Sequence, residues 1–509
     1  MTRKNAIEVE VHTSLKDFIR QQGNRGWHHH LTMARLVARA LRLGSPALMQ
    51  TESSFYRYCF GYLMPVLLGE WSVIIVIPQQ LQQQLLEKEI PLLQEWLGIT
   101  KSVRIGSGWQ TEDQILLTTP ETWLSDRLFS QNRFPDNIPT IIDRADDLEQ
   151  WARQQLTITL KMADWHYLSN HNPEQADLIR YTRVQLTKSI FAHPANRYEC
   201  YDLKDWEIEL INSLCQQIKQ NGQLTAKFDQ LGQAIAKNIS RPYSNLIWLQ
   251  RDRSLGTFTI FAAPTETAST LQPIWQRQPT VLIGSFLDRE AKAPVYREKL
   301  GLSEILAVKF APDQQNDYIR LFIPDRFPLA NTPEYSPALQ EKIDTLIGFS
   351  QNARKSAVIL VEDVPLRGQV ASALAAKYGT KVRVDSLELA SDGILVCGWQ
   401  FWKQHQNSLI TPQLLIMTTL PIPSLEHPLV SSRVAYHKYH RQDWFRLYLL
   451  PTALKMLQQA IIPIRESQGI VALLDSRVNF RSYGKKVLLS LEPCVRINYI
   501  DPTWFWEYL

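Results

Sequence analysis

The chain of 509 residues lacks closely spaced cysteines, a strong charge imbalance and any long uninterrupted apolar run. No two of its five cysteines lie closer than sixteen residues, which excludes a Cys-x-x-Cys metal or redox pair and favours a reducing cytoplasmic location. The formal charge of +5, from 55 basic and 50 acidic residues, permits contact with a polyanion without requiring it. The most apolar early stretch, 62–78, is broken by Pro65, Gly69 and Glu70, so we expect no membrane span there.

Short apolar runs alternate with helical periodicity in two blocks of the sequence. The first block contains WSVIIVIP, ILLTT at 115–119 and TIID at 140–143. The second contains the runs at 356–363, 381–386, 393–398, 413–421 and 469–475. Such alternation is typical of α/β folds with parallel sheets, because crossover helices connect parallel strands.

The stretch from about 151 to 240 is rich in Gln, Lys and Asn and has almost no β-branched runs. We interpret it as an all-helical insertion in the first α/β block. The predicted domains are 1–150 and 244–290 for the first block, 151–243 for the insertion and 291–509 for the second block.

Three segments near the C-terminus carry a family resemblance. They are CGWQFWK (397–403), TTLPIPSLEHPLVSSRV (418–434) and GIVALLDSRVNFRSYGKKVLLSLEP (469–493). They resemble, in the same order, GTxSFWEG, RLPFxxPxDPLVxxR and the YGxxxLxSLP ending of the XPD/DinG type of superfamily 2 DNA helicase. The resemblance runs from about Trp27 to Pro493. It implies two RecA-like lobes, an arch-like insertion in the first lobe, ATP with Mg²⁺ as cofactors and nucleic acid as partner.

The segment at the place of the family's nucleotide loop has lost the residues that bind phosphate. ALMQTESSFYRYCFGYLMPVLL (47–68) stands where the family has EAGTGTGKTxAYLLPxL, yet 51–59 contains no Gly and no Lys. A phosphate loop needs glycines for close backbone approach and a Lys to neutralise phosphate charge. Arg57 takes the Lys position when counted from Gln50, and Tyr58 takes it when counted from Pro65. Both are candidates for a remnant cofactor site.

The acidic box is also altered. TIIDRADDLE (140–149) resembles the family's IIDEAHNLE, so Asp143 is the candidate for holding Mg²⁺ if the metal binds at all. Arg144 replaces the Glu that would position or deprotonate water, and an Arg cannot accept that proton at neutral pH. Asp146 or Asp147 could replace that base only with a different geometry. The simpler interpretation is an acidic first helical turn, which the helix dipole favours.

Two further parts of the family's machinery are changed. The arginine-finger segment QxxGRxxR corresponds to 459–465, where Ile462 and Pro463 replace Gly-Arg and Arg465 is the remaining candidate. The family's iron–sulphur module needs four cysteines, and 97–115 contains none, so we expect no iron–sulphur cluster.

A basic and aromatic run at 433–446 is the candidate nucleic-acid interface. Cations that contact phosphates and aromatic rings that stack on bases bind single strands without reading sequence. The alternative is an amphipathic helix with its aromatics in the core and its charges solvated. The candidate contact residues are Trp402, Lys403, Lys438, Arg441 and Arg446.

The sequence therefore predicts a DinG-like helicase-fold protein that binds nucleic acid, single-stranded DNA foremost, without competent ATP hydrolysis. Two alternatives stay open: an active ATP-dependent DNA helicase with rearranged motifs, and a scaffold that binds protein partners such as DNA-processing proteins.

Overall fold

The computed structural model describes residues 7–21, 27–312 and 318–505. Within them, two seven-stranded sheets form two lobes, and a four-stranded sheet forms part of an insertion in the first lobe. The lobe strands are short apolar runs that are buried on both faces, as Val73–Val76 and Ile115–Thr118 illustrate. Burial on both faces is typical of parallel sheets covered by helices on each side.

The first lobe opens the chain. Its helices are α1 (Ile7–Gln21), α2 (His30–Leu43), α3 (Phe55–Tyr58), α4 (Phe60–Leu68), α5 (Gln79–Gln84), α6 (Ile90–Leu97), α7 (Pro120–Phe129) and α8 (Leu148–Gln155). Its strands up to this point are β1 (Ala47–Gln50), β2 (Val73–Val76), β3 (Val103–Ile105), β4 (Ile115–Thr118) and β5 (Thr140–Ile142).

The insertion follows α8. Its elements are β6 (Ile158–Leu160), α9 (Met162–His171), α10 (Ala176–Ala192), β7 (Cys200–Asp202), α11 (Asp205–Asn221), α12 (Ala226–Ser240), β8 (Asn245–Asp252) and β9 (Thr257–Pro264). The chain then returns to the first lobe through α13 (Ala268–Arg277), β10 (Thr280–Gly284), α14 (Pro294–Leu300) and β11 (Leu306–Lys309).

The second lobe contains the rest of the described chain. Its strands are β12 (Ile319–Phe322), β13 (Ala357–Leu360), β14 (Val382–Val384), β15 (Ile394–Cys397), β16 (Leu414–Met417), β17 (Ile470–Leu473) and β18 (Cys494–Ile497). Its helices are α15 (Tyr335–Asn352), α16 (Val364–Tyr378), α17 (Trp399–His405), α18 (Pro428–Tyr439), α19 (Leu450–Glu466), α20 (Arg477–Phe480) and α21 (Gly484–Ser490).

Both lobe sheets are parallel, as predicted. The first has the order β11-β1-β10-β5-β2-β4-β3 and the second β14-β15-β13-β16-β17-β12-β18. In the first sheet β10 lies between β1 and β5, so the carboxyl ends of these three strands meet at one edge. Crevices at this edge are the usual ligand sites of open α/β sheets. Residues 51–58, 143–149 and 284–290 follow these strands and lie at this edge.

The expected all-helical insertion is wrong. Four antiparallel strands in the order β6-β9-β8-β7 carry its helices, and the β8–β9 hairpin pairs Asn245–Asp252 with Thr257–Pro264. Buried side chains from the helices and from this sheet form one core. Two of the strands, β6 and β7, have only three residues each, which is too short for a periodicity signal.

Two predicted domain boundaries also need correction. The runs at β8 and β9 belong to the insertion's sheet, although the sequence suggested that residues 244–290 return directly to the first lobe. At the other end β11 pairs with β1, so the first lobe extends to Lys309 instead of ending at 290. Tertiary pairing decides both points, because a short apolar run does not specify which sheet it joins.

One helical segment among the described residues, Phe445–Glu466, is long and apolar enough by length and composition to cross a membrane. However, 61% of its most apolar window is buried inside the protein. Leu457, Ile461 and Ile464 of this segment lie in the core of the second lobe. The segment is therefore accounted for as a core helix.

A half-buried lysine closes the end of α4. The Lys101 ammonium donates to the carbonyl oxygens of Val66, Gly69 and Trp71, each at 2.8 Å. These acceptors lie at and just after the helix end, where carbonyls lack intrahelical partners. Burial lowers the pKa of Lys101 to about 8.

We expect Lys101→Met to lower the free energy of unfolding by roughly 1.5–3 kcal/mol, because it leaves three carbonyls without a charged donor. Chemical denaturation measures the change. Lys88→Met, at an exposed position, is the matched control and should change stability little. Equal effects of the two substitutions would contradict the structural role of Lys101.

Candidate functional site

The first two backbone N–H groups of the loop after β1 are bonded within the protein. Thr51 N–H donates to the Gly284 carbonyl at 2.9 Å, and Glu52 N–H donates to the Ser285 carbonyl at 2.8 Å. The loop thus continues the pairing of β1 with β10 instead of curling around an anion. Glu52 adds a negative charge to this loop and forms an ion pair with Lys309 at 2.8 Å. Backbone and charge are both unsuited to a phosphate cradle.

Tyr58 covers the carboxylate that would hold Mg²⁺. Its hydroxyl donates to Asp143 Oδ1 at 2.7 Å, and both side chains are completely buried. Trp27 and Phe55 pack against the Tyr58 ring. Burial raises the pKa of Asp143 to about 6, although hydrogen bonds from the Tyr58 hydroxyl and the Arg144 N–H oppose the shift. Asp143 is therefore part of the core and faces no open cleft.

Of the two residues predicted for the lost Lys position, Tyr58 is the one directed at Asp143. Arg57 is half-buried on α3.

Arg144 and Asp146 form the turn between β5 and α8. Arg144 adopts a left-handed backbone conformation with φ of 59°. The Asp146 carboxylate accepts from Ser285 N–H at 2.8 Å and from Phe286 N–H at 2.7 Å. It therefore ties the turn to the end of β10. Since both of its oxygens are engaged in this way, Asp146 is not placed to act as a catalytic base.

The remaining arginine-finger candidate is engaged within the second lobe. Arg465 is 7% exposed, and its guanidinium donates to the carbonyls of Leu491, Glu492 and Pro493 at 2.7–3.0 Å. These bonds fix the chain before β18 to α19. The remnant site does not fit a Mg²⁺–nucleotide, because Thr51 and Glu52 N–H are bonded to the end of β10, Asp143 is completely buried under Tyr58, and Arg465 is bonded to carbonyls of its own lobe.

Instead, cations of the second lobe reach the acidic turn of the first. Lys403 of α17 forms an ion pair with Asp147 at 2.6 Å, and Lys455 of α19 lies 3.8 Å from the same carboxylate oxygen. The Lys455 ammonium also donates to the Asp146 carbonyl. Burial alone would raise the pKa of Asp147, but the two lysines lower it below its ordinary value.

A second ion pair crosses the lobes one helical turn further on. Glu149 of α8 binds Arg433 of α18 at 2.9 Å and Arg153 of its own helix at 2.7 Å. The Arg433 guanidinium also lies over the Tyr448 ring, 4.3 Å from its centroid. Although burial opposes it, the nearby cations, chiefly Arg433, hold the pKa of Glu149 well below its usual range. Both carboxylates are thus ionised at neutral pH.

Two predicted nucleic-acid contacts are therefore placed elsewhere. Trp402 is 1% exposed and its indole N–H donates to the Ala460 carbonyl at 3.1 Å, so its assignment to the interface is wrong. Lys403 is engaged with Asp147. Both residues lie on α17, which has only seven residues. So short a helix does not show from its sequence pattern that Trp402 faces the core and Lys403 faces the other lobe.

The other three predicted contacts are exposed. Lys438 and Arg441 flank the end of α18, and Arg446 lies on the following helical segment. Tyr439, between the first two, is 56% exposed, and its ring lies 5.6 Å from that of Tyr243 in the insertion. We call Tyr243, Lys438, Tyr439, Arg441 and Arg446 the rim patch.

The rest of the run 433–446 follows the alternative interpretation. Trp444 and Phe445 pack with Val430, Val434 and Tyr448 in a small core. The run is thus divided between an exposed cationic rim and an apolar underside. Tyr243 was not among the predicted contacts, because it lies about 190 residues before the run 433–446 in sequence and only the fold brings it to α18.

We expect the buried Asp143 to produce a pH-dependent loss of stability. Between about pH 4 and pH 6 the unfolded chain ionises this carboxyl while the folded chain keeps it protonated, so the free energy of unfolding falls as pH rises, by about 3 kcal/mol over the window. Asp143→Asn removes this contribution. Denaturation of both proteins between about pH 4 and pH 7 should show a wild-type minus variant difference that declines to about pH 6 and then stays level. Asp17→Asn, at an exposed position, controls for loss of a carboxylate. A difference that does not depend on pH would contradict the assignment.

Known proteins resemble this chain in sequence and in fold. Residues 408–494 match the model of the helicase C-terminal domain family. A stretch of 110 residues is 30% identical to the ATP-dependent DNA helicase YoaA of Escherichia coli, and it spans 21% of this chain and 17% of YoaA.

Solved XPD structures share the whole architecture at low identity. Xpd4 of S. tokodaii superimposes with a TM-score of 0.59 at 12% identity, over 92% of this chain and 100% of that chain. An apo form of XPD gives a TM-score of 0.55 at 12% identity with the same coverage. The second lobe thus resembles a helicase C-terminal domain in sequence, and the described chain has the fold of the XPD structures.

Proposed function

We propose that this protein binds nucleic acid, single-stranded DNA foremost, through its helicase fold and does not hydrolyse ATP. The observation that carries the second part is the Tyr58–Asp143 contact, which fills the space beside the metal-binding carboxylate with a buried phenol. Phosphoryl transfer depends on placing Mg²⁺, phosphate loop and arginine together. The engaged loop amides and the engaged Arg465 agree with the same conclusion.

The rim patch supports the first part of the proposal. It combines three exposed cations with two exposed tyrosines at the junction of the insertion and the second lobe. Phosphate contacts by cations and stacking on aromatic rings are the usual means of binding single strands without sequence preference. The kinship with YoaA, described as a DNA helicase, favours DNA as the nucleic acid.

The two other hypotheses make different predictions. An active helicase requires a way to hold Mg²⁺–ATP other than through the Asp143 that Tyr58 covers. A protein-binding scaffold requires no nucleic-acid contact at the rim patch. Nucleotide turnover therefore separates the first hypothesis from the proposal, and salt-dependent DNA binding separates the second.

We expect Mg²⁺–ATP at millimolar concentration to leave the Tm nearly unchanged, because ligand stabilisation requires a concentration well above Kd. A shift of several degrees would contradict this expectation.

We expect Arg144→Glu not to restore phosphate release, with or without single-stranded DNA. The new carboxylate would lie beside an Asp143 that Tyr58 still covers, and the other parts of the machinery would remain absent. Arg144→Gln controls for loss of the positive charge. Phosphate release by Arg144→Glu above that of wild type and Arg144→Gln would overturn the proposed lack of ATP hydrolysis.

We expect wild type to bind single-stranded DNA at low salt and to release it as salt rises. Lys438→Gln and Arg441→Gln should each reduce the slope of log K against log salt by roughly one unit, and Tyr439→Ala should weaken binding by about 1–3 kcal/mol through lost stacking. Fluorescence anisotropy measures all three.

Lys16→Gln and Arg20→Gln are matched controls. Both residues are exposed on α1, which packs on α2 and α4 of the first lobe. They should bind as wild type does. Wild type that fails to bind at low salt, or rim variants that behave as these controls do, would favour the scaffold hypothesis.

A further inference from the structure

Several ion pairs connect the acidic turn of the first lobe to the second lobe. We call Asp147 and Glu149 with Lys403, Lys455 and Arg433 the clasp. Its two acids come from one short segment at the edge of the first sheet, while its three cations come from three different helices, α17, α19 and α18. Because the cations converge from separate elements, the clasp depends on the relative position of whole lobes.

The acidic turn is held in place by hydrogen bonds within the first lobe. Asp146 binds Ser285 and Phe286 N–H, and the Tyr296 hydroxyl donates to the Ala145 carbonyl at 2.6 Å. The positions of the clasp acids therefore follow the sheet. Preorganised partners lose little freedom on pairing, which is the main reason that exposed ion pairs are weak.

The clasp is also largely removed from solvent. The side chains of Asp147 and Lys403 are 15% and 19% exposed. Those of Glu149 and Arg433 are similarly covered. Pairs with such limited exposure are screened by salt less than surface pairs. Removing one partner would leave an incompletely compensated charge, and this loss exceeds the net contribution of the pair itself.

We infer that the clasp holds the two lobes closed without a nucleotide. Phosphoryl-transfer enzymes bring a phosphate loop, Mg²⁺ and an arginine together around the nucleotide, so the phosphate charge can connect the parts of the protein that supply them. Here carboxylates of the first lobe and cations of the second bridge the lobes directly, and Tyr56 adds a hydrogen bond from its hydroxyl to the Asn407 carbonyl at 3.1 Å. The closed arrangement is then a permanent state of the protein, and the rim patch is presented in one fixed geometry.

The inference rests on the proposed absence of ATP turnover, and an interlobe distance measurement tests it separately. Fluorescent labels at Glu121→Cys on α7 and Glu341→Cys on α15, both exposed, report the distance between lobes in a Cys494→Ser background. Wild type should give one short distance that Mg²⁺–ATP does not change. Lys403→Glu places two carboxylates together and should raise the ratio of open to closed molecules about tenfold or more.

Charge exchange provides the specific test. Because Lys455 also lies beside Asp147, the triple variant Asp147→Lys with Lys403→Glu and Lys455→Gln restores an opposite-charge pair without a facing lysine and should return most molecules to the closed distance. Lys377→Glu is the matched control, because Lys377 forms a 2.5 Å ion pair with Asp344 inside the second lobe. It should leave the interlobe distance unchanged.

Each outcome bears on the clasp. An interlobe distance that is the same in Lys403→Glu and wild type would overturn it, as would a wild type that is open until Mg²⁺–ATP is added. Phosphate release by wild type measures the proposed function independently. A closed, nucleotide-insensitive protein without DNA binding would thus leave the clasp standing and overturn the proposed function alone.

Discussion

The ion pairs between the acidic turn after β5 and the helices of the second lobe are the contact on which the rest of the arrangement depends. Asp147 and Glu149 project from the edge of the first sheet, and Lys403, Lys455 and Arg433 meet them from the second lobe. With these charges neutralised in place, the lobes contact each other directly at the edge where this fold otherwise binds a ligand. The exposed rim lies on and just after the helix that supplies Arg433.

Helix α18 transmits this arrangement to the insertion. Its Arg433 binds the first lobe, while Ser431 and Ser432 lie 3.2 and 3.3 Å from the Asp202 carboxylate of the insertion. Tyr439 at its end lies against Tyr243. One helix of the second lobe thus contacts both other parts of the molecule. The proposed nucleic-acid surface lies at the end of this helix, where its geometry follows from the lobe contact.

The residues at the candidate catalytic positions have structural contacts. Tyr58 donates to the buried Asp143, Asp146 ties two strand ends together, and Arg465 donates to three carbonyls before β18. These contacts hold the fold together at the positions that the family resemblance assigns to catalysis. This coupling explains why restoring a single catalytic residue is not expected to restore turnover.

The sequence by itself determined the two parallel sheets and the absence of Gly and Lys from residues 51–59, because buried runs such as Val73–Val76 and the composition of a loop are local properties. Only the tertiary structure decided the antiparallel sheet of the insertion, since β6 and β7 are too short to be recognised and β8 and β9 acquire their partners through the fold. It also decided that Trp402 faces the core and Lys403 faces Asp147, although the two are adjacent in sequence. Composition shows which side chains carry charge or aromatic rings, but their burial and pairing depend on elements that are hundreds of residues apart.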